Sequence, residues 1–168
     1  MKYEESSIND LYSSSVRAFP RTTKRQHAID PIEISDVRIV PFMGMKTVLI
    51  TANAQNESRA YRPLILFKNI NFHKEESENL IKIVSEGRTY LFEPPRTEST
   101  DVLLRCQCGD WKWRFHYTDH IDHSLYGSNR KPYEAKWNPG SANPLELPGM
   151  CKHLMKLSSV LHESGLIL

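Results

Sequence analysis

The three cysteines of this 168-residue chain are the sequence feature that most constrains its fold. They form a Cys106-x-Cys108 pair and, together with a histidine, a Cys151-x-His153 pair, and the two pairs are separated by 42 residues. Three cysteines cannot all pair within one chain. The polar N-terminus lacks the apolar stretch of a secretion signal, which predicts a protein kept in the reducing cytosol. In that compartment, clustered thiols are more typical of metal binding than of disulfides.

Each pair has a local geometry that would bring its two side chains together. Residues 101–108 begin as a strand, and side chains two apart on a strand point to the same side, so we expect the Cys106 and Cys108 sulfurs on one face. An apolar stripe at helical spacing predicts a helix that begins near Cys151. With Cys151 on the approach to that helix and His153 in its first turn, the second pair also converges. The positive helix N-terminus favours the thiolate form.

Together, Cys106, Cys108, Cys151 and His153 make a three-sulfur, one-nitrogen set, which is the closed tetrahedral coordination typical of structural zinc. We therefore predict a structural Zn²⁺ ion held by these four residues. Two alternatives stay open. The cysteines can be small buried hydrophobes beside a surface histidine, or one of them can be a catalytic thiol, although no orienting partner for a nucleophile is evident nearby.

The chain as a whole is predicted to be α+β, with three segments. Residues 1–31 are polar and serine-rich and are predicted to form an extended arm with a basic stretch at Arg17–Arg25. Residues 32–98 are predicted to form an antiparallel β-rich subdomain, because short β-branched runs alternate with polar turns. Residues 99–168 are predicted to form a zinc-pinned strand, long loop and helix, and the Pro-containing connector Glu93–Thr100 is the best candidate boundary.

One helix is predicted inside the β-rich segment, at His73–Gly87. Its first turn is acidic, its apolar residues Leu80, Ile81 and Val84 are at helical spacing, and a glycine follows where a helix would stop.

The insert between the two pairs contains two further patterns. Trp111, Trp113, Phe115 and Tyr117 alternate with Lys112, Arg114 and His116, which predicts a core strand that follows a bulge at Gly109; a base-stacking platform is the alternative. The stretch HYTDHIDH offers a second possible metal cluster, but a polar surface loop is the favoured interpretation because a strand leads into it. The side chains of that cluster would be His116, Asp119, His120, Asp122 and His123.

The pattern of the four predicted ligands resembles the SWIM-type zinc finger, in which Cys-x-Cys and Cys-x-His are separated by a variable spacer. The spacer here, at 42 residues, is longer than is usual in that family. A second resemblance, to structural proteins of large tailed bacteriophages, rests on CQCGDWKWRFHY, RKPYEAKWNPGSANP, PGMCKHL and the FPRTTKRQ arm. It implies a virion protein of the tail, baseplate or neck that is made in the host cytoplasm.

Three functions follow from these observations. The favoured one is a non-enzymatic structural protein whose arm and long loops bind other protein subunits of a large assembly. A nucleic-acid-binding zinc-finger module is the alternative, supported by the basic arm but opposed by a formal net charge of only +2. An enzyme is least favoured, because four protein ligands leave no position for activated water. No apolar run approaches the roughly 18 residues needed to span a membrane.

Overall fold

In a computed structural model, residues 5–20, 28–128 and 143–168 are described, and they form an α+β fold with antiparallel sheets, which confirms the predicted class. A 3-10 turn (Met43–Met45) joins the first two strands, and a π-helical segment (Trp111–Phe115) precedes the second helix. The helices and strands, in chain order, are α1 (Ile8–Ala18), β1 (Glu33–Phe42), β2 (Thr47–Asn56), β3 (Arg59–Tyr61), β4 (Leu64–Phe67), β5 (Phe72–His73), β6 (Ile81–Ser85), β7 (Arg88–Phe92), β8 (Val102–Arg105), α2 (His116–Ile121) and α3 (Lys152–Glu163).

The larger sheet has the strand order β1-β2-β4-β8, with β3 paired beside β2, and the smaller sheet has the order β5-β7-β6. Along β2, every second residue is buried, as expected for a strand with one face in the core. Helix α3 lies against β1 and β2 and contributes to the same core. Buried side chains of this core include Val48, Ile50, Ala52, Ile65, Phe67, Val102, Leu104, Leu154, Leu157 and Leu161.

The N-terminal segment differs from the predicted extended arm, because residues 8–18 form helix α1. Its start is a capping box in which the Asp10 N–H donates to Ser7 Oγ (3.3 Å) and the Ser7 N–H donates to Asp10 Oδ2 (3.0 Å). Ile8, Leu11, Ser15 and Ala18, at helical spacing, are buried. The buried face is narrow and includes a serine, so the serine-rich sequence did not indicate a helix. Residues 21–25 of the predicted basic stretch lie outside the described residues.

The helix predicted at residues 73–87 is wrong, because this stretch contains strand β6 and the end of β5. Glu86 and Gly87 both have positive φ (50° and 77°), as a tight two-residue turn between β6 and β7 requires. Ile81 and Ile83 pack against the core while Lys82 and Val84 are exposed, so the period is two. The turn at Glu86–Gly87 explains the error, since its glycine closes a hairpin and does not end a helix.

The connector at residues 93–100 is tied to both ends of the described chain. The Asn9 N–H donates to the Thr97 carbonyl (2.9 Å), the Thr97 N–H donates to the Leu168 carbonyl (2.8 Å), and the Leu168 N–H donates to the Pro95 carbonyl (2.8 Å). Buried side chains on both sides of the connector belong to one hydrophobic cluster. Within the described residues, no helix is both long and apolar enough to span a bilayer.

Helix α1 provides a test of this shared core. Leu11 is 0% exposed and the adjacent Tyr12 is 49% exposed. We expect Leu11→Ala to lower the free energy of unfolding by about 2–5 kcal/mol, because it leaves a cavity in the core. The matched control Tyr12→Ala should change it by less than about 0.5 kcal/mol. Urea denaturation measures both, and small, equal effects would contradict the packing of α1 described above.

Candidate metal centre

The structure brings together all four residues that were predicted as ligands. Cys106 and Cys108 directly follow β8, Cys151 caps α3 with an extended backbone (φ −75°, ψ 169°), and His153 lies in the first turn of α3. The three sulfur atoms and one histidine ring nitrogen all lie within 4.8 Å of one another, and all four residues are buried. The group therefore has the donor types and the spacing of a metal site.

His153 gives an independent test of whether a metal ion fits. Both of its ring nitrogens are buried and have no hydrogen-bond partner in the described part of the chain. The Tyr61 ring packs against the imidazole, with 4.8 Å between ring centroids, but Tyr61 does not form a hydrogen bond with either ring nitrogen. Buried polar atoms are normally paired, so the ring nitrogen that lies within 4.8 Å of the sulfurs calls for a partner. An ion bound at that nitrogen would be such a partner. The three cysteines are free thiols, so their sulfurs are available as the other ligands.

The three thiols influence one another strongly because they lie so close together. The pKa of Cys108 is lowered, because the Cys106 and Cys151 thiols donate hydrogen bonds to its thiolate. The pKa of Cys106 is raised, chiefly by its hydrogen bond to Cys108, and burial raises the pKa of Cys151. One thiolate is therefore favoured within the group, and a divalent cation would be needed to hold three.

The chain after Cys108 is helical, so the predicted bulge at Gly109 and the aromatic strand are wrong. Trp111 and Phe115 are buried while Trp113 and Tyr117 are 46% and 44% exposed, which is the four-residue period of a helix. The helix lets the Trp111 N–H donate to Cys108 Sγ (3.3 Å). It also lets the Trp111 indole N–H donate to Oδ2 of Asp119 in α2. Aromatics at every second position fit both structures, which explains the error.

The five residues proposed as a second metal cluster do not converge, and part of their segment is helix α2 instead of a surface loop. His116 stacks on the Trp111 ring, with 5.0 Å between centroids and planes 20° apart. His120 and His123 line a separate cleft of about 420 Å³. Across residues 5–20, 28–128 and 143–168, the Cys₃His group is the one set of three or more candidate ligands that comes together.

Asp119 is neither the surface-loop residue of the favoured prediction nor a member of a metal cluster. It is fully buried, accepts the Trp111 indole N–H at Oδ2 (3.1 Å) and accepts the Gly149 N–H at Oδ1 (2.7 Å). Burial raises the pKa of this carboxyl, and the two hydrogen bonds oppose that rise.

The segment that leads to Cys151 is held by residues that the sequence analysis did not single out. Asn143 donates to the carbonyls of Arg114 (2.9 Å) and Leu147 (2.8 Å), and Ser15 Oγ accepts the Met150 N–H (2.7 Å). The one sequence feature that could have indicated this close packing is Gly149, because a Cβ atom there would overlap the Ser15 hydroxyl and the Phe115 ring. Residues 129–142 of the predicted long loop lie outside the described residues.

A cleft of about 590 Å³ borders the Cys₃His group on the side of Cys108 and His153. The turn between β2 and β3 forms its opposite wall, and Lys152 and Asp110 line it beside the ligands. An engineered or natural metal site needs a path by which the ion enters, and this cleft supplies one.

Comparisons with known proteins add no family to these observations. A scan against family models, a search of curated proteins and a search of solved structures each found no match to the chain. The geometry defines the class of molecule: an α+β protein with a buried Cys₃His group that could bind a metal ion. The likenesses to SWIM-type fingers and to phage structural proteins stay predictions.

Removing a ligand should abolish metal binding. Mixed with Zn²⁺ and desalted, the wild-type chain should retain one ion, measured by elemental analysis, whereas Cys151→Ser and His153→Ala should retain less and unfold more easily. The control is His162→Ala, which changes an exposed histidine on the same helix and should bind zinc like the wild type. Equal retention by all four proteins, or none by the wild type, would contradict the site.

Metal binding should also release protons, because the ligands bind as thiolates. An ordinary thiol is protonated near neutral pH, so we expect ion binding to release protons from the cysteines. The affinity should therefore rise as the pH rises. Calorimetric titration in two buffers with different ionisation enthalpies counts the protons, and a buffer-independent enthalpy would contradict three-thiolate coordination.

Proposed function

We propose that the Cys₃His group binds a structural zinc ion. Thiolate and imidazole ligands favour Zn²⁺ over hard cations such as Mg²⁺ and Ca²⁺, which prefer oxygen. The observation that carries this proposal is the burial of all four donor residues within one 4.8 Å cluster. Structural zinc sites are closed in this way, whereas catalytic sites keep one position for water or substrate.

The ion would act as a staple between distant parts of the chain. Cys106 and Cys108 are fixed to the end of β8, and Cys151 and His153 are fixed to the start of α3. Bridging them would fix the two ends of the intervening segment, and the ion would add to the side-chain hydrogen bonds that already hold these ends near each other. Zinc binding would then supply much of the stability of the C-terminal half.

We further propose that the protein is a non-enzymatic structural component of a larger assembly, a virion part of the tail, baseplate or neck. The resemblance to phage structural proteins supports this assignment, and so does a cluster of exposed apolar side chains in the β1–β2 connection. Phe42, Met43 and Met45 there are 41%, 53% and 75% exposed. Neighbouring exposed apolar residues are typical of a surface that contacts another protein.

The test of this function has two parts. First, the chain should be present in stoichiometric copy number in purified particles of the virus that carries its gene, measured by quantitative mass spectrometry. Second, duplex DNA titrated at about 50 and 200 mM salt should show no tight binding, since several phosphate contacts would change affinity about 10³–10⁵-fold over this range. Absence from the particles contradicts the assembly function, and steeply salt-dependent DNA binding would favour the nucleic-acid-binding function instead.

A further inference from the structure

Two buried side chains outside the Cys₃His group hold the approach to its second half. The Met150 N–H donates to Ser15 Oγ (2.7 Å), and the Gly149 N–H donates to Asp119 Oδ1 (2.7 Å). Ser15 and Asp119 are both 0% exposed, so water does not compete for these bonds. The two residues before Cys151 are therefore fixed by helices from other parts of the chain.

Asp119 also reaches the first half of the group. Its second oxygen, Oδ2, accepts the Trp111 indole N–H (3.1 Å), and the Trp111 backbone N–H donates to Cys108 Sγ (3.3 Å). A continuous path of hydrogen bonds and one tryptophan side chain thus runs from Cys108 through Asp119 to Gly149. The carboxyl of Asp119 spans the gap between the two halves and sets their separation.

The surrounding packing makes this arrangement rigid. A Cβ atom on Gly149 would overlap the Ser15 hydroxyl and the Phe115 ring, so the backbone lies directly against both. A carboxyl buried in such a place is costly unless its oxygens are hydrogen-bonded, and both oxygens of Asp119 are. Ser15 Oγ likewise both donates, to the Leu11 carbonyl (2.7 Å), and accepts, from Met150.

We propose that Asp119 and Ser15 are positioning residues of the metal centre, which hold the Cys151–His153 half in register with the Cys106–Cys108 half before the ion binds. The inference rests on the proposed metal function of the Cys₃His group. Partners that orient metal ligands from outside the coordination sphere commonly change metal affinity about 10–100-fold when they are removed.

Three substitutions in the full-length chain test this role. Asp119→Asn keeps the size of the side chain but replaces one acceptor oxygen by an NH₂ group, so one of its two N–H donors loses its partner. Ser15→Ala removes the acceptor for Met150. The matched control is Ser158→Ala, because Ser158 is a buried serine that makes the same kind of bond to a carbonyl four residues back, that of Leu154 (2.9 Å), on helix α3.

The measurements are zinc release to a chromophoric chelator and the absorption spectrum of the Co²⁺-loaded protein. We expect Asp119→Asn and Ser15→Ala to weaken zinc binding about 10–100-fold and to reduce the thiolate-to-cobalt charge-transfer band, as the Cys151 thiolate loses its position. A merely structural role would lower the melting temperature and leave the cobalt spectrum unchanged. Ser158→Ala should leave both the spectrum and the release of zinc as in the wild type.

The outcomes separate the inference from the proposed function. Tight zinc binding by the wild type with unchanged release and spectra in both variants would overturn the positioning role alone. A wild-type chain that takes up no ion would overturn the metal function and the inference together. If Asp119→Asn does not fold, the comparison of Ser15→Ala with Ser158→Ala decides, and equal spectra and release rates in those two proteins overturn the role.

Discussion

Three thiol sulfurs and an imidazole nitrogen of four buried residues lie within 4.8 Å of one another, and this cluster joins the end of β8 to the start of α3. Without a cation the arrangement is only partly satisfied. One thiolate is favoured at Cys108, the pKa values of the other two thiols are raised, and both nitrogens of His153 have no hydrogen-bond partner among the described residues. A divalent ion would stabilise the three thiolates and give one of the two His153 nitrogens a partner. Metal binding is therefore expected to stabilise the folded chain further.

The coupling extends beyond the four ligands because the same elements build both the hydrophobic core and the support of the site. Helix α1 buries Leu11 in the core and, one turn later, places Ser15 against the backbone of Met150. The helical segment after Cys108 buries Trp111, whose indole reaches Asp119. A disturbance of the core would thus reach the residues before Cys151, and a bound ion would restrain the start of α3.

The sequence was sufficient to predict that Cys106, Cys108, Cys151 and His153 come together and that helix α3 forms. Each pair has a short-range spacing that makes its two side chains converge, and α3 has an apolar stripe of period 3.6. It was insufficient where two periods fit the same residues. Trp111 and Phe115 are four residues apart, so they lie on the same face both of a strand and of a helix. Only tertiary contacts decide which of the two structures forms. At Ile81–Ser85 the feature that makes the segment a strand of a hairpin is the turn that follows, in which Glu86 has a positive φ. Glutamate is not a residue type from which such a turn is predicted. For α1, the serine-rich composition made the helical spacing of the buried residues difficult to recognise. Asp119 could not be assigned from sequence, because its partners, Trp111 and Gly149, are neighbours only in the folded chain.

The position of the metal centre in the sheet bears on the proposed assembly function. Strand β2 runs from the exposed Met43–Met45 turn at one end to Asn56 at the other, and Asn56 lines the cleft beside Cys108 and His153. Ten residues of strand separate the two ends, which corresponds to roughly 30 Å. A partner bound at the apolar turn would therefore leave the ligand geometry undisturbed. The ion would stiffen one end of the sheet while the other end stays available for contacts, an arrangement suited to a small subunit that must keep its shape inside a larger structure.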